Sequence, residues 1–304
     1  MNIREIATGL KFPEGPVAMD DGSIILVEIA AGRITRVKPD GKTQTIAKPG
    51  GGPNGLAIGP DGALYLCNNG GSFRFHKRMG VLFPGATPPE HKGGRIERVD
   101  IRTGKVDALY AECDGRRLNG PNDIVFDDAG GFWFTDHGSS PAAGRTHGGL
   151  YYAKADGSKI TCAAFPLLSP NGVGLSPDGR TVYFADTLSA RLWSMPIAKP
   201  GKPGKVEGLL PTNYVAGFPG HAYFDSLGVQ ADGAVCVATI LAGGITTISP
   251  DGKKVRHTPL PDPLVTNICW GGKGMKTAYV TLSGTGKLVA LDWPKAGLRL
   301  AYNA

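Results

Sequence analysis

The chain is poor in the features that mark secreted, membrane or nucleic-acid-binding proteins. Its 304 residues include five cysteines (Cys67, Cys113, Cys162, Cys236, Cys269), an odd count with no CxxC pair. That excludes a disulfide scaffold as the organising principle and fits a reducing compartment. Cys67, Cys236 and Cys269 stand in apolar segments, where a free thiol behaves as a small hydrophobe. The first residues, MNIREIATGL, lack the apolar centre of a signal peptide, and no apolar run approaches membrane-spanning length. A soluble, cytoplasmic protein with no membrane partner is the expectation. The formal net charge is +7, but basic residues are scattered and form no stripe interleaved with aromatics. A nucleic-acid partner is therefore not expected. The densest basic cluster, Arg74, His76, Lys77 and Arg78, reads as a solvated loop that could favour anionic substrates. Also missing are GxSxG, HExxH and GxxxxGK[ST], and with them the serine elbow, the zincin helix and the P-loop.

Helical apolar periodicity over three turns is scarce as well. What is plentiful is turn chemistry: 46 glycines and 24 prolines, spread too evenly to form a linker. Short apolar runs between Gly/Asp turns predict an all-β protein, a sandwich, barrel or propeller. The stretch Leu118–Asp136, LNGPNDIVFDDAGGFWFTD, shows the pattern: an approach loop, a strand over Asp123–Phe126, a tight turn, and a strand over Phe132–Thr135.

That pattern recurs six times. A polar head precedes each apolar strand, and a glycine follows eight residues later: Glu14/Gly22, Asn54/Gly62, Asn122/Gly130, Asn171/Gly179, Asp225/Gly233 and Thr266/Gly274. Successive heads lie 40, 68, 49, 54 and 41 residues apart, the length of a four-stranded propeller blade with its loops. A second hairpin signal recurs at 32–47, 94–110, 148–165 and 243–260. The prediction is a single domain over 1–304, a six-bladed β-propeller with four-stranded blades. Either the N-terminal run Arg4–Leu10 or the tail Gly297–Tyr302, GLRLAY, could complete the sixth blade; the N-terminal run is the favoured one, with the tail packed beside it.

In a propeller the first strands line one channel and run the same way, so the heads must form a ring at one mouth. Every head carries a side-chain oxygen, and such a set converging in one place would be costly unless it bound something. The matching ligand is one divalent cation held by Glu14, Asn122, Asn171 and Asp225. Calcium is the first choice, because these are all oxygen donors, with zinc, manganese or ferrous iron as alternatives. An Asn before a strand is a common turn residue, and Asn54 is expected to be only that. The two acids are the informative departures. Beside such a cation Asp225 is the better general base and Glu14 a plain ligand; hydrolysis of a carboxylic ester, with a cyclic ester suiting a narrow mouth, follows. Asn119 and His137 are candidates for contacting substrate, each with a structural role as the rival reading. The 24 residues of 70–93 account for most of the long second spacing and form a candidate lid. The loops His137–His147 and Leu209–Phe224 are expected on the same face.

FPEGP, LNGPNDIVFDDAGGFWFTD, SPNGVGLSPDGRTVYFADT and FDSLGV together resemble the senescence-marker-protein/gluconolactonase family over nearly the whole chain. The resemblance implies a six-bladed propeller with one divalent cation in its channel, hydrolysing sugar lactones or related esters. It matches Glu14, Asn171 and Asp225 to metal ligands, Asn122 to a position binding the metal or its water and substrate, and Asp225 to the proposed base. This chain departs from the family pattern around the pocket: YFDSL surrounds Asp225, His137 follows the FWFTD strand, and Gly120 stands where sugar-lactone members can place an arginine. These departures loosen the tie to sugar lactones more than the tie to lactone hydrolysis. An organophosphate or aryl-ester hydrolase on the same metal, and a non-catalytic ligand-binding propeller with structural calcium, are the alternatives.

Overall fold

Each repeat folds because its turn and its strands agree. In a computed structural model describing residues 2–206 and 210–302, the glycine eight residues after each head adopts positive φ in all six copies, from 66° to 86°. In four copies an aspartate just ahead of it closes the turn: Asp61 Oδ1 accepts the Ala63 N–H at 3.1 Å, and Asp178 Oδ1 accepts that of Arg180 at 3.1 Å. A side chain on that glycine would be strained by the left-handed backbone, so the hairpin register is set locally.

The hairpins assemble into six antiparallel sheets. Blade 1 comprises Pro13–Ala18, Ile24–Glu28, Arg33–Val37 and Thr43–Ala47. Blade 2 comprises Pro53–Ile58, Leu64–Asn68, Arg95–Val99 and Val106–Tyr110, and blade 3 Pro121–Phe126, Gly131–Asp136, Gly148–Lys154 and Ile160–Leu167. Blade 4 comprises Pro170–Leu175, Thr181–Asp186, Arg191–Lys199 and Asn213–Gly217, with the short Lys202–Pro203 added at its edge. Blade 5 comprises Tyr223–Val229, Val235–Ile240, Gly244–Ile248 and Val255–Pro259. Blade 6 pairs Val265–Gly271, Thr277–Leu282 and Lys287–Asp292 with the N-terminal Ile3–Ala7. The expected closure by the N-terminal strand is thus what the sheet shows. Strand starts differ from the sequence reading: the first strands begin at Pro13, Pro53, Pro121 and Pro170, so Asn122 and its counterparts lie inside the strand. Proline lacks an N–H for the ladder, and as the first residue of a strand it costs little.

Strands buried on both faces carry apolar residues without alternation, and they meet in six clusters, one at each seam between blades. The tail does not lie beside Ile3–Ala7. The Gly297 N–H bonds to the Met275 carbonyl and the Leu298 N–H to the Val229 carbonyl, both at 2.8 Å. Leu298, Leu300 and Tyr302 then pack on successive seams, and the Tyr302 ring stands 5.6 Å from that of Phe126. The tail drops every second side chain into the lower ends of the seams, across the bottom of the channel.

At the upper face, a carboxylate or amide ending the second strand clasps the loop before the head. Asp136 accepts the N–H groups of Asn119, Gly120 and Gly138 at 2.6–2.8 Å. Asp186 takes the Ser169 N–H at 2.7 Å, and Asn68 Oδ1 takes that of Gly52 at 3.0 Å. These side chains are spent on backbone donors and fix where the heads sit.

Candidate active site at the channel mouth

Every first strand slips register at its head, between Glu14 and Val17, Pro121 and Ile124, Pro170 and Val173, Phe224 and Leu227, and at the matching places in blades 2 and 6. Such bulges bend a strand and re-aim its side chains. The bulge in blade 3 satisfies its backbone through Thr135: the Asp123 N–H bonds to Thr135 Oγ1 at 3.2 Å, and that hydroxyl donates to the Asn171 carbonyl.

The heads are buried where the spacing places them. Glu14 is 2% exposed, Asn54, Asn122 and Asn171 are each 4% and Thr266 is fully buried, while Asp225 is half-buried. Glu14 Oε2 accepts the Gly15 N–H and Asn267 Nδ2, both at 2.7 Å. Asn171 Nδ2 donates to Thr187 Oγ1 at 3.1 Å. Thr266 shares hydroxyl bonds with Thr281 and Ser283. Asn122 Oδ1 is buried with no hydrogen-bond donor.

Burial dominates the electrostatics. It raises the Glu14 carboxyl above its ordinary value against the hydrogen bonds from Asn267 and Gly15, and it raises Asp225 further, with Glu14 adding its repulsion. A third acid belongs to the same group: Asp123, pushed up to about 8 by burial and then by Glu14. Among the described residues no Lys, Arg or His pairs with any of the three.

Asp123, Ser226 and Asn267 escaped the sequence reading. Each follows a head, at a position that is glycine in three blades (Gly15, Gly55, Gly172). Those glycines allow close approach: a Cβ on Gly55 would stand 2.4 Å from the Asn122 carbonyl oxygen, and one on Gly172 would stand 2.4 Å from the Leu227 nitrogen. Setting the six copies in register and asking why this column alternates between glycine and a polar residue would have found them.

Asn119 and His137 lie on the same face. The Asn119 backbone is held by Asp136, and its half-buried side chain has no protein hydrogen bond among the described residues. His137 is neutral: burial, and then the nearby Arg145 guanidinium, push its imidazole down to about 3. Its Nδ1 is buried without a partner, while its carbonyl accepts from Arg145 Nη2. His147 and His221 are exposed. Of the Leu209–Phe224 loop, Leu209 lies outside the described residues.

The 70–93 segment folds back on itself as a hairpin, Phe75–Arg78 against Val81–Pro84. It leaves blade 2 and reaches the seam of blades 6 and 1, where the Leu82 N–H bonds to the Gly284 carbonyl at 2.8 Å and Phe75 meets Phe12 at 5.0 Å between ring centroids. Thr87 and Ser140 tie its far limb to the top of blade 3, N–H to oxygen at 2.9 Å in both directions. Phe12, two residues before Glu14, holds φ of 58°, an unusual conformation for a bulky side chain. Below the ring, a cavity of ≈ 80 Å³ ends at Leu298 and Leu300.

The residues fit a cation. An orphaned amide oxygen beside carboxylates that lack any cationic partner is a donor set short of its acceptor. Among the described residues no three His, Cys, Asp or Glu side chains are grouped to hold a metal, so amide oxygens would have to complete the set.

Fold and ring define a six-bladed β-propeller with a polar site at one mouth of its channel. The SMP-30/Gluconolactonase/LRE-like region model matches residues 12–284, and the chain belongs to that family. It is 25% identical over 317 residues to a gluconolactonase of Zymomonas mobilis, covering 92% of this chain and 79% of that one. It is 26% identical over 247 residues to lactonase drp35 of Staphylococcus aureus, covering 79% and 67%. Among solved structures, regucalcin from Agrobacterium tumefaciens, described as a calcium-binding protein, superposes with a TM-score of 0.77 at 20% identity over 100% of this chain and 97% of that one. A gluconolactonase from Xanthomonas campestris gives 0.75 at 21% identity, covering 96% and 89%. These two likenesses speak to the fold.

Proposed function

We propose that this protein is a metal-dependent lactonase that adds water to a small lactone and releases the hydroxy acid. The family and its relatives named gluconolactonase and lactonase support the reaction class. The observation that carries the metal is the buried Asn122 Oδ1, left without a donor in a ring whose acids have no basic partner among the described residues. Glu14, Asn122, Asn171 and Asp225 would hold one divalent cation. Calcium is favoured by the all-oxygen set and by the regucalcin likeness.

When bound, the cation supplies a Lewis acid for the ester carbonyl and positive charge to keep the acids ionised. The rest falls to the chain. Asp225, the least buried of the ring acids, takes a proton from water as the water oxygen bonds to the carbonyl carbon. The ring C–O bond then breaks, and the Asp225 carboxyl returns its proton to the departing alkoxide. Asn119 offers to substrate hydroxyls a side chain that has no protein hydrogen bond among the described residues. Asn122 and the neutral His137 complete the polar wall. The tail closes the channel from below, so substrate enters from the face crossed by the 70–93 hairpin, which acts as its lid.

The test is lactone opening by chelator-stripped protein reloaded with calcium, zinc, manganese or ferrous iron, on sugar and aliphatic lactones and on a phosphorus ester. Metal-dependent opening of a lactone is the expected result. Preference for the phosphorus ester would move the reading to an organophosphatase. No turnover with any metal, on protein that binds one, would move it to a binding propeller.

A further inference from the structure

The ring oxygens do not choose their own orientation. Glu14 Oε2 receives two donors, its neighbour's Gly15 N–H and the Asn267 Nδ2 amide, each at 2.7 Å. Asn267 stands in blade 6, on the far side of the closing seam and 253 residues along the chain. Its own amide is fixed in turn, because its Oδ1 accepts the Ile268 N–H at 2.8 Å. With the oxygen engaged there, only the NH₂ group can face Glu14. Asn171 shows a related device: Nδ2 donates to Thr187 Oγ1 at 3.1 Å, Oδ1 accepts from Ser226 Oγ at 3.5 Å, and the same side chain hydrogen-bonds the Asp225 carboxyl.

We propose that Asn267 is a positioning residue that occupies Oε2 of Glu14, so that this carboxylate offers one oxygen rather than two to the cation, and that Thr187 likewise sets the ligand oxygen of Asn171. The inference rests on the metal reading above. It follows from the inventory of donors: a carboxylate whose one oxygen already accepts two N–H groups is a one-oxygen ligand. Outer partners of this kind orient ligands and typically carry a ten- to hundredfold effect on metal affinity.

The experiment is calorimetric titration of chelator-stripped protein with Mn²⁺ and with Ca²⁺, for the parent chain, Asn267→Leu and Thr187→Val. Leucine keeps the branched shape of asparagine and donates nothing, so Oε2 keeps the Gly15 N–H alone and Glu14 can turn to offer both oxygens. Calcium accepts two-oxygen carboxylates readily, whereas a smaller ion with stricter geometry does not. Mn²⁺ affinity is expected to fall about tenfold in Asn267→Leu, with Ca²⁺ falling less, so that the ratio shifts at least about threefold toward calcium. Thr187→Val should lower affinity for both ions severalfold. If Asn267→Leu does not fold, as judged by circular dichroism, Thr187→Val alone decides, and unchanged affinity there overturns the inference. An equal fall for both ions in Asn267→Leu marks a merely structural role and also overturns it, as does no change. A parent chain that binds neither ion refutes the metal reading itself, a separate outcome.

Discussion

Glu14→Gln is the sharpest perturbation of the ring, because it changes charge and almost nothing else. The side chain is 2% exposed and has no cationic partner among the described residues. Its Oε2 takes two N–H groups. A glutamine that keeps its oxygen there turns its NH₂ toward the cation; flipped, it sets NH₂ against two donors. Either way a favourable contact becomes a repulsive one, in addition to the lost charge. Removing one partner of a buried charge pair costs about 3–5 kcal/mol, or roughly a hundred- to several-thousand-fold in metal affinity. The metal-free protein should respond the other way. Losing Glu14 relieves repulsion on Asp123 and Asp225, so its melting temperature at neutral pH should hold or rise. Asn54→Ala, in the same ring but outside the proposed ligand set, should change affinity less than about threefold, as expected of a site carrying no ligand charge. Calorimetry on stripped protein reads all three. Equal losses at Glu14 and Asn54 would refute the division of the ring into ligands and bystander.

Three further outcomes follow from the same geometry. Asp225→Asn at saturating metal should keep the fold and lower kcat by about 10²–10⁴, the range of general-base catalysis; turnover within a factor of a few of the parent would remove Asp225 from the chemistry. The metal-free protein should lose stability as pH rises. Asp123 has its carboxyl at about 8 against an ordinary 3.8, and Glu14 and Asp225 are raised in the same direction. The folded chain therefore holds protons that the unfolded chain has released, stability is greatest below the unfolded values, and it falls as pH climbs from about 4 to about 8. Differential scanning calorimetry across that window should show the fall, Asp123→Asn should flatten it, and added calcium should cancel it; a parent and Asp123→Asn with the same slope would be the contrary result. Deleting 297–304 removes three half-buried apolar side chains from the seams and should cost about 3 kcal/mol in denaturant midpoint measurements, whereas an unchanged midpoint would show that the plug contributes no stability.

The head-to-glycine spacing made the architecture legible because two independent constraints recur together. A hairpin turn needs positive φ at a fixed distance from the strand start, and a propeller needs each inner strand to begin at the same height. Gly22, Gly62, Gly130, Gly179, Gly233 and Gly274 satisfy the first, and their common offset from the heads reports the second. Glu14 and Asp225 could be singled out because an acid in a column of amides changes the charge of a place, whatever its exact orientation. The bulges were not legible. A period-2 reading assigns Asp123 to the face opposite Asn122, but a register slip between Pro121 and Ile124 lets consecutive residues serve the same end of the channel. The same limit hid Asn267, whose partner Glu14 is adjacent only once the ring has closed.

Local pattern also misplaced the tail. Leu298, Leu300 and Tyr302 alternate as an edge strand would, and the Gly297–Gln230 bridge shows that the backbone is extended there. Its direction, though, is set by what needs covering. The lower ends of the seams are apolar, and every blade except the sixth has its outer strand supplied by the chain that follows its third. Blade 6 takes its outer strand from the N-terminus, pairing Ile3 with Leu291 and Glu5 with Val289, so the edge of Lys287–Asp292 is already occupied when 297–302 follows it. With that edge taken, the remaining apolar surface within reach of Trp293 is the bottom of the channel, and a six-residue extended segment is long enough to cross several seams at about 3.3 Å per residue. Closure by the N-terminus and plugging by the C-terminus are therefore one choice. A variant in which Ile3–Ala7 is deleted should release 297–302 to compete for the vacated edge, moving Leu298 and Tyr302 out of the seams. Hydrogen exchange at the Leu298 amide would detect it as lost protection, since that N–H is bonded to Val229 only while the tail lies across the channel. Protection unchanged by the deletion would show that the two termini are placed independently.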